Sequence, residues 1–518
     1  MTETRPPGER PPGERPTYST TPPSAVARES APAVVTIPAL LRGPTTRRIV
    51  LVILGAVALG FLVQLISERS PEPLSPEGQV TVGIFVAAVW AWIFTDLDDT
   101  YVSLGAAVAL VLTGSLPAED FFATLGDDTV WLLLGAFVIA AGVTQTGLAT
   151  RAAVFVIVAA RSPRQLFHLL TASLVVTTFA VPSTSGRAAL AVPVFIALAT
   201  ALRDRPRLVR AVALLFPTVI LLSAVGSLLG AGAHLVTSQV LQTATGDGIS
   251  FAEWLLLGLP LAVVSSHVAA ELVLMLFTTR EERGGTIGLE VSDFEGGEQP
   301  VSGPLSVAQS RAALLLGAVV LLWCTQSLHG VDPAIVALVG SLVATSPQFG
   351  SVQLSTVLKS APWSLLLFLA ATLALGSALV SSGAADWVAS SLLGPFSSGG
   401  NSLLYLVVVI VLSTLMHLLV QSRSARSSVL VPIVVALAPA AGLSAAAVAF
   451  ASTAAAGFCH TLTSSAKPVA MFSKIEETPT YEPRDLIRLS AFLAPVHIVT
   501  VLAFSLLVWP HLGLPLSP

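Results

Sequence analysis

Apolar runs of about 20 residues recur along the chain, and short polar segments separate them. A helix of about that length spans the hydrocarbon core of a bilayer, so the pattern predicts an all-α polytopic membrane protein. We expect about 11 transmembrane helices. The predicted spans cover residues 49–66, 80–94, 101–116, 130–160, 211–243, 254–277, 312–326, 333–344, 363–392, 442–472 and 489–507.

One phrase occurs twice between these spans, at residues 181–193 and 420–432. Each copy has a Ser-x-Ser turn, an arginine two residues later and a proline six residues after the arginine; the arginines, Arg187 and Arg426, are 239 residues apart. Arginines flank the first copy on both sides, whereas the second copy has no nearby Lys or Arg outside it. Positive charges mark the cytoplasmic side, so we expect two re-entrant hairpins, about 166–202 and about 403–437, that open to opposite faces.

Two spans carry internal interruptions that predict broken helices. The span at 211–243 contains Gly226, Gly230 and Gly232, followed by His234, and the span at 442–472 is interrupted around 464–468. With the first span left aside, each half has five crossings, and two halves with an odd number of crossings must be inverted relative to one another, as in secondary transporters. We therefore divide the chain into a disordered Pro-rich cytoplasmic tail (1–43), a first inverted repeat (44–277), a cytoplasmic linker (278–307) and a second inverted repeat (308–518).

Composition narrows the class further. The chain is 54% hydrophobic and 11% charged, which excludes an ordinary soluble protein. Its two cysteines lie in apolar runs, and neither metal-ligand spacing nor a nucleotide-binding motif is present. We expect no metal, no cofactor, no nucleic-acid partner and no enzymatic activity. Arg47 and Arg48 precede the first span, which predicts an N-terminus on the cytoplasmic side of the cell membrane and, after eleven spans, a C-terminus outside.

In layout, and in the phrases at 130–137, 249–260 and 484–513, the sequence resembles the divalent anion/sodium symporter family, carriers of di- and tricarboxylates and sulfate. The resemblance extends over residues 49–514. It implies an elevator-type carrier, in which the hairpins and broken helices move as a transport domain against a scaffold of the other spans. It also implies a homodimer.

The sodium sites of the family correspond to altered turns in this sequence. Family members hold sodium at a Ser-Asn-Thr turn in each hairpin and a Thr-Pro-Pro-Asn-like turn in each broken helix. The Asn positions of those turns are occupied here by Thr184, Arg423, His234 and Lys467. A cation about 4 Å from sodium costs about 4 kcal/mol at an effective dielectric constant of about 20. We therefore predict that tethered cations replace sodium, with retention of one sodium ion at the first hairpin turn as the alternative.

Two sets of residues form the predicted site. The residues predicted to bind the anion are Ser183, Thr184, Ser185, Arg187, Ser422, Arg423, Ser424 and Arg426. The residues predicted to replace the cation or to couple transport to another ion are His234, Ser464, Ser465 and Lys467. Each has a structural alternative, because arginines also neutralise helix carbonyl ends, serines satisfy turn backbone and a histidine packs at a helix break.

The prediction that follows is a secondary active transporter of a small divalent anion, dicarboxylate or sulfate, that works without sodium. The alternatives are a sodium-coupled anion symporter, an arsenite-type oxyanion permease and a transport-dead sensor of the same fold. Ser464, Ser465 and Lys467 also raise the alternative of an intramembrane Ser/Lys hydrolase, although the sequence offers no oxyanion hole for it.

Overall fold

The computed structural model describes residues 74–95, 97–295, 301–384, 402–475 and 480–518, together with Gly55, Trp387 and Thr478. Every regular element within these residues is helical, which confirms the all-α class. The predicted tail at 1–43, nearly all of the first span at 49–66 and most of the end of the ninth span after residue 384 lie outside the described residues.

The α-helices are numbered here in chain order. In the first half they are α1 (Pro76–Phe94), α2 (Asp99–Leu112), α3 (Ala118–Ala123), α4 (Asp128–Gln145), α5 (Leu148–Ile157), α6 (Pro163–Ala180), α7 (Thr184–Ala201), α8 (Pro206–Leu222), α9 (Gly232–Thr245), α10 (Phe251–Phe277) and α11 (Arg280–Gly284). In the second half they are α12 (Val307–Cys324), α13 (Gln326–His329), α14 (Pro333–Ala344), α15 (Leu354–Ser360), α16 (Trp363–Ser381), α17 (Ser402–Leu415), α18 (Arg423–Leu437), α19 (Ala445–Ala455), α20 (Lys467–Ser473) and α21 (Pro483–Ala503).

Eight helices in the described part of the chain are long and apolar enough to cross a membrane. The predicted span at 130–160 is not among them as one continuous helix, so that expectation is wrong. The chain turns at Gly147, whose φ of 69° ends α4 and lets α5 begin in a new direction. Gly383 follows α16 with the same φ of 69°, so the second half has a matching turn.

Both copies of the repeated phrase form a helix, a turn and a second helix. α6 and α7 are joined by residues 181–183, and α17 and α18 are joined by residues 416–422. Ser183 caps α7 by accepting a hydrogen bond from the Gly186 amide, and Ser422 caps α18 by accepting one from the Ala425 amide. The first serine of each turn therefore fixes the start of the helix that carries the arginines.

Two helices are interrupted, as the glycine and polar phrases predict. α8 stops at Leu222 and the chain resumes as α9 at Gly232, while α19 stops at Ala455 and α20 begins at Lys467. The first interruption is held from α10, where the Trp254 indole N–H donates to the Val225 carbonyl at 3.0 Å. A Cβ atom on Gly258 would overlap that same carbonyl, so the close approach of α10 requires glycine.

Packing brings each repeated phrase against an interrupted helix. α7 and α6 lie on α8, whereas α18 lies along α9 and α19. A second set of contacts joins α4 to α14 and α2 to α16. The start of α7, the start of α18 and the ends of α8 and α19 consequently meet in one region, which positions the candidate site.

Substitution of Gly230 by alanine should destabilise the protein. The new Cβ atom would overlap the Ala224 carbonyl oxygen, and such overpacking costs about 1–3 kcal/mol. We expect Gly230→Ala to lower the melting temperature of the purified protein in detergent. Gly317→Ala in α12 is the control, because its Cβ atom meets nothing within 4 Å. Equal melting temperatures for the two variants would contradict this account of the interruption.

Candidate functional site

Arg187 is a buried guanidinium whose donors are all used inside the protein. Its side chain is 1% exposed in the first turn of α7. Nε donates to Thr177 Oγ1 (3.0 Å), Nη1 to Thr178 Oγ1 (3.2 Å) and the Ile220 carbonyl (3.0 Å), and Nη2 to the Leu174 carbonyl (2.6 Å) and Ser223 Oγ (2.7 Å). Five bonds engage the five N–H groups of an arginine. In this conformation Arg187 ties α6 to the end of α8, which favours the structural alternative for this residue.

Arg423 bridges the ends of the two interrupted helices. Its Nη2 donates to the Leu221 carbonyl in α8 at 3.2 Å and to the Gly457 carbonyl just after α19 at 3.0 Å. Carbonyls at the C-terminal end of a helix carry partial negative charge and lack intrahelical partners. The guanidinium therefore occupies a position that suits a cation. Its Nη1 is buried and has no partner among the described residues.

Arg426, at the position equivalent to Arg187, has the opposite environment. Its side chain is 0% exposed. Nε, Nη1 and Nη2 have no oxygen or nitrogen acceptor in the described parts of the chain, and the weak acceptor beside them is the Cys459 sulfur; Ser427 Oγ, at the next position, also lacks a described partner. A buried guanidinium without a partner costs several kcal/mol. The chemistry that would satisfy it is an anion with two or more acceptor oxygens.

Electrostatics join the three arginines into one positive cluster. Arg423 is close enough to repel both Arg187 and Arg426, and it also acts on His234. The Cys459 sulfur lies beside Arg426 and 3.6 Å from Nη2 of Arg423. Mutual repulsion among buried cations is relieved when an anion binds between them. The sequence-predicted residues of both hairpins therefore come together in one place.

Lys467 is placed differently from the arginines. It is the exposed first residue of α20, and its side chain acts electrostatically on Asp99 at the start of α2. The turn after the interruption thus places Lys467 within electrostatic range of a carboxylate. Ser464 beside it is exposed, whereas Ser465 is buried and its Oγ accepts a hydrogen bond from the Leu462 amide at 3.0 Å.

His234 has the features of a residue that packs at a helix break. Its Nδ1 lies 2.9 Å from the Ser227 carbonyl, and its ring stacks on Trp254 with centroids 5.0 Å apart. Ser424 lies close by, since a Cβ atom on Gly232 would be 2.9 Å from its Oγ. The second hairpin turn therefore touches the start of α9. Thr184 and Ser185 are half-buried in the first turn of α7.

Comparison with known proteins gives this geometry a family. Residues 47–514 match the family model described as the sodium:sulfate symporter transmembrane region. The chain belongs to the sodium:sulfate symporter family. The family assignment made from the sequence is thereby confirmed, and the protein is a multi-pass membrane protein of a family of divalent-anion and dicarboxylate transporters.

Individual relatives of this symporter-family protein are distant. The citrate/succinate antiporter of Escherichia coli K12 is 23% identical over 432 residues, covering 75% of this chain and 82% of the relative. The sodium-dependent dicarboxylate transporter SdcS of Staphylococcus saprophyticus is 23% identical over 402 residues, covering 70% and 75%. The YdaH transporter of Alcanivorax borkumensis shares the fold, with a TM-score of 0.52, 17% identity and coverage of 91% of this chain and all of that one.

The structure adds residues that the sequence did not single out. Thr177, Thr178 and Ser223 saturate Arg187. Cys459, His460 and His497 lie near the arginines. The feature that could have pointed to Cys459 and His460 is their position shortly after the end of α19, near Arg423 and Arg426.

The contrast between the two equivalent arginines can be tested by stability alone. Arg187→Met removes five hydrogen bonds and strands buried carbonyls and hydroxyls, which should cost about 3–5 kcal/mol. Arg426→Met removes an unpartnered buried charge, so it should leave stability unchanged or raise it when no anion is added.

The measurement is thermal unfolding of both variants in detergent and in a buffer of monovalent chloride. Arg311→Met in α12 is a control for loss of an arginine elsewhere, since Arg311 donates to an exposed carbonyl at Gln348. A loss of stability in Arg426→Met as large as that in Arg187→Met would show that the environments of the two arginines do not differ in this way.

Proposed function

We propose that this protein is a secondary active transporter of a small divalent anion, a dicarboxylate or sulfate, across the cell membrane, and that fixed arginines take the place of bound sodium. The observation that carries the proposal is Arg426, which is fully buried and whose three guanidinium nitrogens have no oxygen acceptor among the described residues, only the Cys459 sulfur beside them. Membership in the symporter family supplies the class of cargo.

The chemistry of the cluster favours an oxyanion. A guanidinium presents parallel N–H groups that match the two oxygens of a carboxylate or two oxygens of sulfate. Ser427 Oγ adds a hydroxyl without a described partner at the next position. Arg426 also lies in the first turn of α18, where the helix dipole favours negative charge. Neutral arsenite would gain little from these groups.

The same cluster argues against sodium at the second hairpin. Sodium would compete for the carbonyls of Leu221 and Gly457, which already accept hydrogen bonds from Arg423. A sodium ion there would also lie near a fixed positive charge. We propose that coupling differs from that of a relative named as sodium-dependent, and that no cofactor is required.

Helix packing supports an elevator motion for this transporter. The hairpins and interrupted helices (α6–α9 and α17–α20), with α10 and α21 packed on them, would form the moving transport domain, and α1, α2, α4, α12, α14 and α16 would form the scaffold. We propose a homodimer with the N-terminus inside and the C-terminus outside. Size-exclusion chromatography with light scattering measures the oligomeric state, and a monomer would contradict the dimer.

Transport without sodium is the first functional prediction. Purified protein in liposomes should accumulate radiolabelled succinate, citrate or sulfate, because an anion satisfies Arg426. Replacing sodium by choline on both sides should leave the initial rate unchanged, since Arg423 already occupies the helix-end carbonyls. A steep dependence on sodium would reject the surrogate role and restore the sodium-coupled alternative.

Loss of Arg426 should weaken anion binding. Charge-assisted hydrogen bonds contribute about 1.5–3 kcal/mol each, so Arg426→Met should weaken binding of the preferred anion by at least about tenfold. The measurement is the anion-dependent shift in melting temperature, followed by uptake in liposomes, with Arg311→Met as the control. Binding without flux in the wild type would indicate a sensor. Arsenite uptake that survives Arg426→Met would indicate an oxyanion permease, and hydrolysis would indicate an enzyme.

A further inference from the structure

Three buried histidines surround one phenylalanine beside the arginine cluster. The ring of Phe458 lies 5.3 Å from that of His417, 5.0 Å from that of His460 and 6.0 Å from that of His497, measured between centroids. All three imidazoles are buried. Imidazole is the side chain whose ordinary pKa lies nearest to neutrality. Titratable groups are thus packed against the candidate anion site, although the anion-binding role uses none of them.

Hydrogen bonding distinguishes the three histidines. His417 is engaged at both nitrogens, by the Thr414 carbonyl at 2.7 Å and Thr461 Oγ1 at 2.9 Å. His460 uses Nδ1 to accept the Cys459 amide at 3.3 Å. Its proton therefore lies on Nε2, which points at the Thr218 backbone carbonyl without a well-formed hydrogen bond to it.

Of the three histidines, His497 has the fewest hydrogen bonds at its ring nitrogens. Neither ring nitrogen makes a well-formed hydrogen bond within the described ranges, and the ring lies against the Ala454 and Ala455 carbonyls, which can accept from an imidazole N–H. A neutral imidazole carries one N–H and one bare lone pair. His497 can consequently take up a proton without breaking any hydrogen bond recorded here, whereas protonation of His460 at Nδ1 would break its bond to Cys459.

The groups that face this pair explain when protonation can occur. α18 supplies Arg423 and Arg426, the segment after α19 supplies the Cys459 thiol, and the turn after α17 supplies His417. α8 and α19 supply backbone carbonyls. Burial is the main obstacle to a proton on either imidazole, and the positive charge of Arg423 adds to it. A dianion held by the arginines offsets that repulsion and gives a buried imidazolium a counter-charge, which favours the proton.

We propose that His497, with His460 beside it, is the site of a coupling proton that binds together with the anion. This proposal rests on the proposed function, since it requires an anion at Arg426. The proton comes from bulk water and adds to the bare lone pair of His497; no other bond changes. His460 is a neighbour that disfavours a second proton by like-charge repulsion. The transporter then moves an anion and a proton in the same direction.

Isothermal titration calorimetry tests this directly. Sulfate and succinate are titrated into the full-length wild-type protein at pH 7.5, in buffers that differ in ionisation enthalpy, and the dependence on buffer gives the protons taken up. We expect about one proton per anion, and affinity that falls by up to about tenfold per pH unit above neutrality, as one linked proton requires.

His497→Gln should bind the anion with proton uptake near zero and an affinity that no longer depends on pH. If His497→Gln is not properly folded, as judged by a non-cooperative thermal transition, His497→Phe is the second variant, because it keeps an aromatic ring beside Phe458. His329→Gln, at the end of α13 and exposed, is the matched control and should keep the wild-type proton count. A pH-sensitive dye inside liposomes should report acidification with anion entry for wild type and not for His497→Gln.

The outcomes separate the two proposals. If the wild type binds neither sulfate, succinate nor citrate, the proposed function fails. If it binds an anion without proton uptake, the proton site is rejected and the anion carrier stands. Proton uptake that persists in His497→Gln, or that is lost instead in His234→Gln or His417→Gln, would also reject the assignment to His497.

Discussion

Guanidinium groups at the carbonyl ends of two interrupted helices are the interaction on which the rest of this structure depends. The Ile220, Leu221 and Gly457 carbonyls point into the protein interior, where water does not supply partners. Arg187 and Arg423 satisfy them with charged donors that the chain itself carries. Because these charges are covalently attached, the interruptions carry their own donors for these carbonyls. Arg426 differs from both, since its guanidinium nitrogens have no oxygen acceptor among the described residues.

The two repeats are alike in sequence and unlike in hydrogen bonding, and the reason lies in the surrounding positions. At the offset of 239 residues that relates Arg187 to Arg426, the acceptor Thr177 becomes Met416, and Thr178 becomes His417, which binds elsewhere. Ser223, directly after α8, corresponds to Ala456, directly after α19. The second repeat thus lacks the side chains that saturate the first arginine. The duplicated framework consequently gives Arg187 a structural role and gives Arg426 none of the same hydroxyl acceptors.

The helical fold and the two helix–turn–helix units can be predicted from the amino-acid sequence. Apolar runs predict a helical membrane protein, and the repeated Ser-x-Ser phrases predict the two helix–turn–helix units whose arginines meet. Local patterns do not reveal which acceptors surround a side chain, so the saturation of Arg187 and the orientation of Lys467 towards Asp99 could not be foreseen. The turn at Gly147 was hidden because apolar residues continue on both sides of it. His497 lies 74 residues beyond Arg423, and only tertiary packing brings the two near each other.

The hydrogen bond from the Trp254 indole bears on whether small cations can leak through the protein. Irregular backbone in the middle of a membrane usually offers a row of open oxygens along which small cations can hop. Here the Val225 carbonyl is bonded by an indole N–H, and the Ile220, Leu221 and Gly457 carbonyls are bonded by guanidinium groups. Potassium or sodium would have to displace aromatic and cationic side chains at each of these oxygens. The interrupted helices therefore expose none of these oxygens as a path for a cation leak.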